Sequence, residues 1–300
     1  MSGSTEERPI LVAVANPDHA MQLVRTAGDL ARASDGVVQI VSVVVKSHES
    51  PFSVYSDETI IERYAGNSRE ILDGALAVAP DDVTVEDSLV VSRSVTDGIL
   101  TAVEQTNARA LVIGWEQRKR RSNAVLGTTI DQLIERAPCD LYVERIGHEA
   151  NGVDSVLVPV AGGPHVRPAI GVAKAIAVRN DATVQLCSIV GDETDSTGAR
   201  TSIERAQSIL EDAPGPPVRS ETVIRSGNDV TEELVEIAAE HDVVVFGATR
   251  QGAIHRRLVG SIPRTVTRRT DQTVILARDG EAVGGPILRQ IRQLWPTSRG

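Results

Sequence analysis

Aromatic side chains are scarce, with two Trp, three Tyr and two Phe in 300 residues. So few rings leave little on which bases could stack, which argues against a single-stranded nucleic-acid binder. Lysine occurs only at Lys46, Lys119 and Lys174, so 31 − 3 = 28 of the basic residues are Arg. The acidic, Lys-poor composition suits a high-salt cytoplasm. A net charge of -10 and a pI near 5.2 exclude a polyanion as partner for the body of the protein, so no nucleic acid is expected. Cysteine is limited to Cys139 and Cys187, both in apolar runs, a pattern of buried thiols rather than of a disulfide or metal site. No apolar run approaches the roughly 18 residues of a membrane span. The opening MSGSTEERP lacks the apolar core of a signal peptide. No membrane insertion and a cytoplasmic location are the expectation.

What is present is a regular alternation. Residues 9–14 (PILVAV) are a short continuous aliphatic run, the pattern of a strand buried on both faces, and 15–18 look like a turn. Met21, Leu23, Val24, Ala27, Leu30 and Ala31 recur at helical spacing, closed by Ser34-Asp35-Gly36. Strands follow at 37–45, within 83–92, at 110–113 ending on Gly114, and at 139–143. Helices are expected over 58–78, 95–105 and 128–136. Strands alternating with helices at these lengths require parallel pairing through right-handed crossovers, hence a doubly wound α/β sheet. Ligands of such sheets bind at the carboxyl ends of the strands, where Ala15 and Gly114 fall.

The pattern then restarts. ILVAVA from Ile10 matches VLVPVA from Val156, an offset of 156 − 10 = 146; Leu111-Val112-Ile113-Gly114 matches Val244-Val245-Phe246-Gly247, an offset of 244 − 111 = 133. The 146 − 133 = 13 residues are lost between the second and third strands, where the first half carries Pro51, Phe52 and Tyr55. This is a tandem duplication of one α/β unit. The expected division is 1–148, 149–280 and a tail over 281–300. The tail places Ile287, Leu288, Ile291 and Leu294-Trp295 along one helical face, better suited to docking on protein than to membrane anchoring.

Both copies carry a glycine after a buried strand, a basic loop, and a second glycine with Thr or Ser: Gly114 with Gly127-Thr128, and Gly247 with Gly260-Ser261. With the ILVPVD-like first strand and Ala137-Pro138-Cys139 before the last, this spacing resembles the universal stress protein family over about residues 8–146 and 154–278. Gly114-Trp115, the Arg-rich loop and the stretch 158–165 are similar to such domains of salt-loving archaea, including some fused behind cationic amino-acid transporters. The resemblance implies two flavodoxin-like (adenine nucleotide alpha hydrolase-like) sheets in tandem. It also implies that the fifth strands, 141–143 and 274–276, pair antiparallel within the chain as an intramolecular pseudo-dimer. A homodimer and a membrane transporter are the further partners it suggests.

Family members that bind ATP use an Asp at the end of the first strand toward adenosine, and three glycines plus Ser/Thr around the phosphates. Here that Asp position is Ala15 in one half and Ala161 in the other, and the middle glycine is Gln117 or Arg250. Alanine accepts no ribose hydrogen bond, worth about 0.5–1.5 kcal/mol, and a side chain at the middle glycine crowds the phosphates. ATP or another adenine nucleotide as cofactor is thereby weakened. Arg118, Lys119, Arg120 and Arg121, and in the second copy Arg250, His255, Arg256 and Arg257, have two readings: guanidinium groups gripping phosphates, or a solvated charged face. Gly127-Thr128 and Gly260-Ser261 serve equally as phosphate cradle or as plain helix caps. Gly227 and Ser94 lie near a base or start a turn into the next helix. His165 reads as a loop residue. No spacing suggests a catalytic triad or a metal site, so no enzyme is expected. Three functions stay open: a regulatory protein acting through protein contacts with an atypical adenine-nucleotide or cyclic-dinucleotide ligand; an ATP-binding, slowly hydrolysing switch; and a ligand-free interaction module.

Overall fold

The structure is a computed structural model that describes residues 8–46, 55–116, 127–150, 152–191, 196–248 and 261–282. The first half runs β1 (Ile10–Ala13), α1 (Pro17–Arg32), β2 (Val38–Val45), α2 (Asp57–Tyr64), α3 (Gly66–Leu76), β3 (Val85–Ser92), α4 (Val95–Gln105), β4 (Ala110–Trp115), α5 (Thr128–Arg136) and β5 (Asp140–Arg145). The second runs β6 (Ser155–Pro159), α6 (Val166–Asn180), β7 (Thr183–Val190), α7 (Ser196–Asp212), β8 (Arg219–Ser226), α8 (Val230–Ala238), β9 (Val243–Gly247), α9 (Ser261–Arg269) and β10 (Thr273–Arg278), closed by a 3-10 turn over Gly280–Ala282.

The turn expected at 15–18 is the start of α1. Asn16 Oδ1 accepts the Asp18 N–H at 3.0 Å, and Pro17, with its fixed φ and missing N–H, suits the first helical position. The long helix expected over 58–78 breaks at Ala65, whose φ of -90° and ψ of 15° leave the helical range. Three poor helix formers, Gly66, Asn67 and Ser68, follow it, and the Ala65 carbonyl starts α3 afresh by accepting the Arg69 N–H at 2.8 Å.

Among the described residues the strands form one sheet of ten, in the order β3-β2-β1-β4-β5-β10-β9-β6-β7-β8. Every ladder is parallel except the central one, where β5 and β10 run antiparallel with Val143 opposite Leu276 and Tyr142 opposite Ala277. The fifth strands therefore pair within the chain, as the family resemblance implied. One face of the sheet buries Val12, Val112, Tyr142 and Ile275 beneath α1, α3, α6 and α7; the other buries Leu11, Leu111, Leu141 and Val244 beneath α4, α5 and α8. Each fully buried Leu or Ile is worth about 1.5–3 kcal/mol, so a mainly aliphatic core needs little aromatic mass. Cys139 and Cys187 are buried free thiols, and burial pushes them up to about 12 and about 11.

The seam is held by a reciprocal pair of buried arginines at equivalent positions of the repeat (145 + 133 = 278). Arg145 Nη1 donates to the carbonyls of Thr267 and Thr270 at the end of α9. Arg278 Nη2 donates at 2.8 Å to the carbonyl of Ala137, which closes α5. Each half thus supplies a cation to the negative end of a helix in the other. Gly280 seals the joint, because a Cβ there would lie 2.4 Å from the Cys139 carbonyl carbon.

Candidate functional site

In each half the first strand lies between its second and fourth, so the chain reverses direction there and leaves a crevice at the carboxyl edge. Ala15 and Gly114 come together at the first crevice, on neighbouring strands in register at Ala13 and Ile113. Ala161 and Gly247 come together at the second, beside the β6–β9 ladder. Both alanines are exposed. Gln117, Arg118, Arg120, Arg250 and Gly260 lie outside the described residues, as do Lys119, Arg121 and His255 to Arg257. Ser261 opens α9.

The glycines have packing roles the sequence did not separate from ligand approach. β4 does not end at Gly114 but continues through it to the buried Trp115. A Cβ on Gly114 would stand 2.8 Å from Ile146 Cγ1 and 3.3 Å from Leu23 Cδ1, so α1 sits close over the strand. A Cβ on Gly247 would stand 2.9 Å from the His165 carbonyl oxygen, which is backbone and gives way less readily. Gly127 has a φ of +104°, a conformation open to glycine, and stands as the N-cap of α5 without any side-chain cap. Thr128 is the first helical residue and not the cap. Among the described residues, the first-turn N–H groups of α5 therefore have no side-chain cap.

Gly227 is not brought to the crevice. It follows β8, two strands away from β6, and donates its N–H to Val190 O at 3.0 Å. Asp229 then caps α8, accepting from Thr231 N–H at 2.8 Å, and Ser94 caps α4 in the same way through the Asp97 N–H at 3.1 Å. Both glycine and serine begin turns into helices.

His165 lies in the turn before α6, as expected of a loop residue, but its side chain is buried. It is 7% exposed, directly precedes α6, and its Nδ1 accepts the Asp279 N–H at 3.0 Å, which leaves the proton of a neutral ring on Nε2. Beside it, Arg167 bridges Asp279 at 3.0 Å and Asp140 at 3.2 Å, tying α6 to both halves of the seam. The second crevice is thus built of interlocked side chains, whereas at the equivalent place in the first half His19 is only partly buried.

A polar cluster underlies the first crevice, assembled from residues far apart in the chain. Glu144, paired with Gly114 in the ladder, is 1% exposed. Its carboxylate accepts from Gln22 Nε2 at 2.7 Å and from Thr26 Oγ1 at 2.7 Å. Burial raises its pKa to about 7, with the Thr26 and Gln22 hydrogen bonds and Arg25 acting in the opposite sense. On the next turns of α1, Asp29 is also raised to about 7 by burial, against the pull of Arg32, Arg25 and Arg179. The repeat puts Pro168, Val172 and Ala277 where the first half has Gln22, Thr26 and Glu144, so this cluster exists once. Two clefts, of about 210 and 370 Å³, open at the opposite, amino-terminal edge around Pro217 and Val218. The buried Lys174 beside the smaller one already donates to the carbonyls of Leu210 at 2.9 Å and Ala213 at 2.6 Å. Among the described residues no group of His, Cys, Asp and Glu is placed to hold a metal ion, and no helix is long and apolar enough to cross a membrane.

The family model "Universal stress protein family" matches residues 7–145 and again 152–278. The chain belongs to the universal stress protein family. Its two universal stress domains share one sheet, and solved structures agree on that fold. A universal stress protein from Archaeoglobus fulgidus is 14% identical, covering 89% of this chain and 97% of its own, with a TM-score of 0.60. The cytoplasmic domain of a prokaryotic cation chloride cotransporter is 10% identical, covering 95% and 99%, with a TM-score of 0.59. A universal stress protein of Archaeoglobus fulgidus solved in complex with dAMP is 23% identical and covers 46% of this chain and 98% of its own, with a TM-score of 0.36. Comparison with curated proteins gives no match.

Proposed function

We propose that this universal stress protein is a non-enzymatic regulatory protein that acts through protein contacts and takes an atypical adenine-nucleotide ligand in its first half. The observation that carries this reading is the difference between the two crevices. In the first, Gly114 meets the side chains of Ile146 and Leu23, and Gly127 opens α5 without a side-chain cap. In the second, Gly247 is packed against the backbone of the buried His165. A pair of unlike sites suits a sensor better than a pair of equal catalysts. Exposed alanines at both strand ends supply no acceptor for a ribose hydroxyl, which favours ligands held through their phosphates, cyclic dinucleotides included. A link to a membrane transporter takes its partner class from the cotransporter domain, whose likeness is one of fold.

Calorimetry of the full chain against ATP, AMP and cyclic dinucleotides, at low and high salt, tests the reading. Binding that is stronger for a cyclic dinucleotide or AMP than for ATP, and that disappears when Arg118, Arg120 and Arg121 are all replaced by Ala, supports it. Tight ATP binding with slow hydrolysis would make the chain an ATP switch instead. An absence of heat with every ligand would make it a ligand-free interaction module.

A further inference from the structure

The 13 residues by which the halves differ fall between the second and third strands. In the first half two helices occupy that connection, and α2 lies against β3 with Ile60 fully buried. The second half has the single helix α7 there. The consequence is seen at the two ends of the sheet. β3 and β8 are its edges and are both eight residues long. Two residues of β3 are exposed, against six of β8. Among the described residues β8 pairs with β7 alone. A long, bare edge is a ready template for another strand, and natural proteins cover or blunt such edges.

We propose that β8 is the contact surface for a second copy of this chain, joined antiparallel about a twofold axis at Val223. The backbone allows it. Gly227 N–H donates inward to Val190 O, and peptide groups alternate along a ladder. Arg225, Val223 and Glu221 therefore bond toward β7, while Ser220, Thr222, Ile224 and Ser226 present N–H and C=O groups to the open edge. With the axis at Val223, residues whose numbers sum to 446 oppose one another. Outward-facing Thr222 then meets outward-facing Ile224, and Ser220 meets Ser226.

Charge selects this register over its neighbours. Glu221 stands opposite Arg225 of the second copy, and by symmetry the pair occurs twice. An axis at Thr222 would set Arg219 against Arg225, and an axis at Ile224 would leave Arg225 facing Val223. The present contacts of these side chains are long: 3.6 Å from Arg225 Nη2 to Glu240 Oε1, and 3.5 Å from Gln185 Nε2 to Glu221 Oε2. Both groups can turn to a new partner. Ile224, 37% exposed, gains cover from Thr222 of the second copy. Two ten-stranded sheets then form one of twenty, ending at both sides in β3 with its helix α2.

Sedimentation velocity of the full chain across a concentration series tests the proposal. The expected species is twice the 32.0 kDa of one chain. Glu221→Arg and Arg225→Glu should each weaken association by on the order of tenfold, because each sets like charges opposite twice. The double variant E221R/R225E should restore it. Ile224→Pro removes an outward N–H without touching the β7 ladder and should abolish the dimer while the far-ultraviolet dichroism is kept. A chain that stays monomeric at every concentration, a dimer indifferent to all four variants, or a double variant no better than the singles would overturn it.

Discussion

Replacing Glu144 by Gln removes one buried ionisation and keeps the shape of the side chain. In the folded chain burial raises the Glu144 pKa from 4.5 to about 7. At about 1.36 kcal/mol per pH unit, that interval corresponds to roughly 3 kcal/mol. The direction follows from the proton count. Between the two values the folded chain holds a proton that the unfolded chain has lost, so folding is favoured by acid. The contribution is complete below pH about 4.5, falls as pH rises, and is gone above about 7. The Gln variant has nothing to ionise and skips this loss. Its amide can still meet Gln22 and Thr26, since the Thr26 hydroxyl can turn from donor to acceptor. Guanidinium unfolding of both proteins at several values from pH 4.5 to 8 should therefore give a stability difference, variant minus wild type, that climbs by about 3 kcal/mol and then levels off. Asp29 titrates in both proteins and cancels in the difference. A difference that is flat with pH would refute a buried, proton-holding Glu144.

The glycines of the two crevices should respond unequally to Ala. Gly247→Ala drives a Cβ against the His165 carbonyl and should cost about 1–3 kcal/mol, whereas Gly114→Ala meets mainly the Ile146 side chain, which can rotate, and should cost less; paired thermal melts decide the order. Arg145→Ala leaves the carbonyls of Thr267 and Thr270 without their donor inside the seam and should destabilise by about 2–4 kcal/mol in chemical denaturation, with Arg278→Ala acting through Ala137 in the same way.

The sheet could be read from the sequence because its strands are nearly continuous aliphatic runs, bounded by glycine and polar turns and repeated in the same order in both halves. Even the β5–β10 pairing followed from the family resemblance. What escaped was decided by contacts between distant residues. The break at Ala65 hides in a stretch whose apolar spacing stays helical. The burial of His165 escaped because its partner, Asp279, is 114 residues away. Gly114 and Gly247 carry the family's spacing, yet the sequence does not say that Ile146 and the His165 backbone press on them. The Glu144 cluster shows how a signal could have been found: an acid beside Arg145 at the end of a largely apolar strand, where the other copy has Ala277. An ionisable residue in such a run demands partners, and on α1 Gln22, Thr26 and Asp29 recur at helical spacing.

Joining the halves through β5 and β10 sets a timetable for the nascent chain. The stretch from Arg145 to Arg278 is 278 − 145 = 133 residues, and at about 5–20 residues per second β5 waits some 7–27 seconds for its partner strand. Throughout that interval the completed first half carries an open, aliphatic edge, the kind of surface on which chains of one polysome stick together. Arg145 stands on that edge as a charge, and it serves as the guard before it serves as the lock.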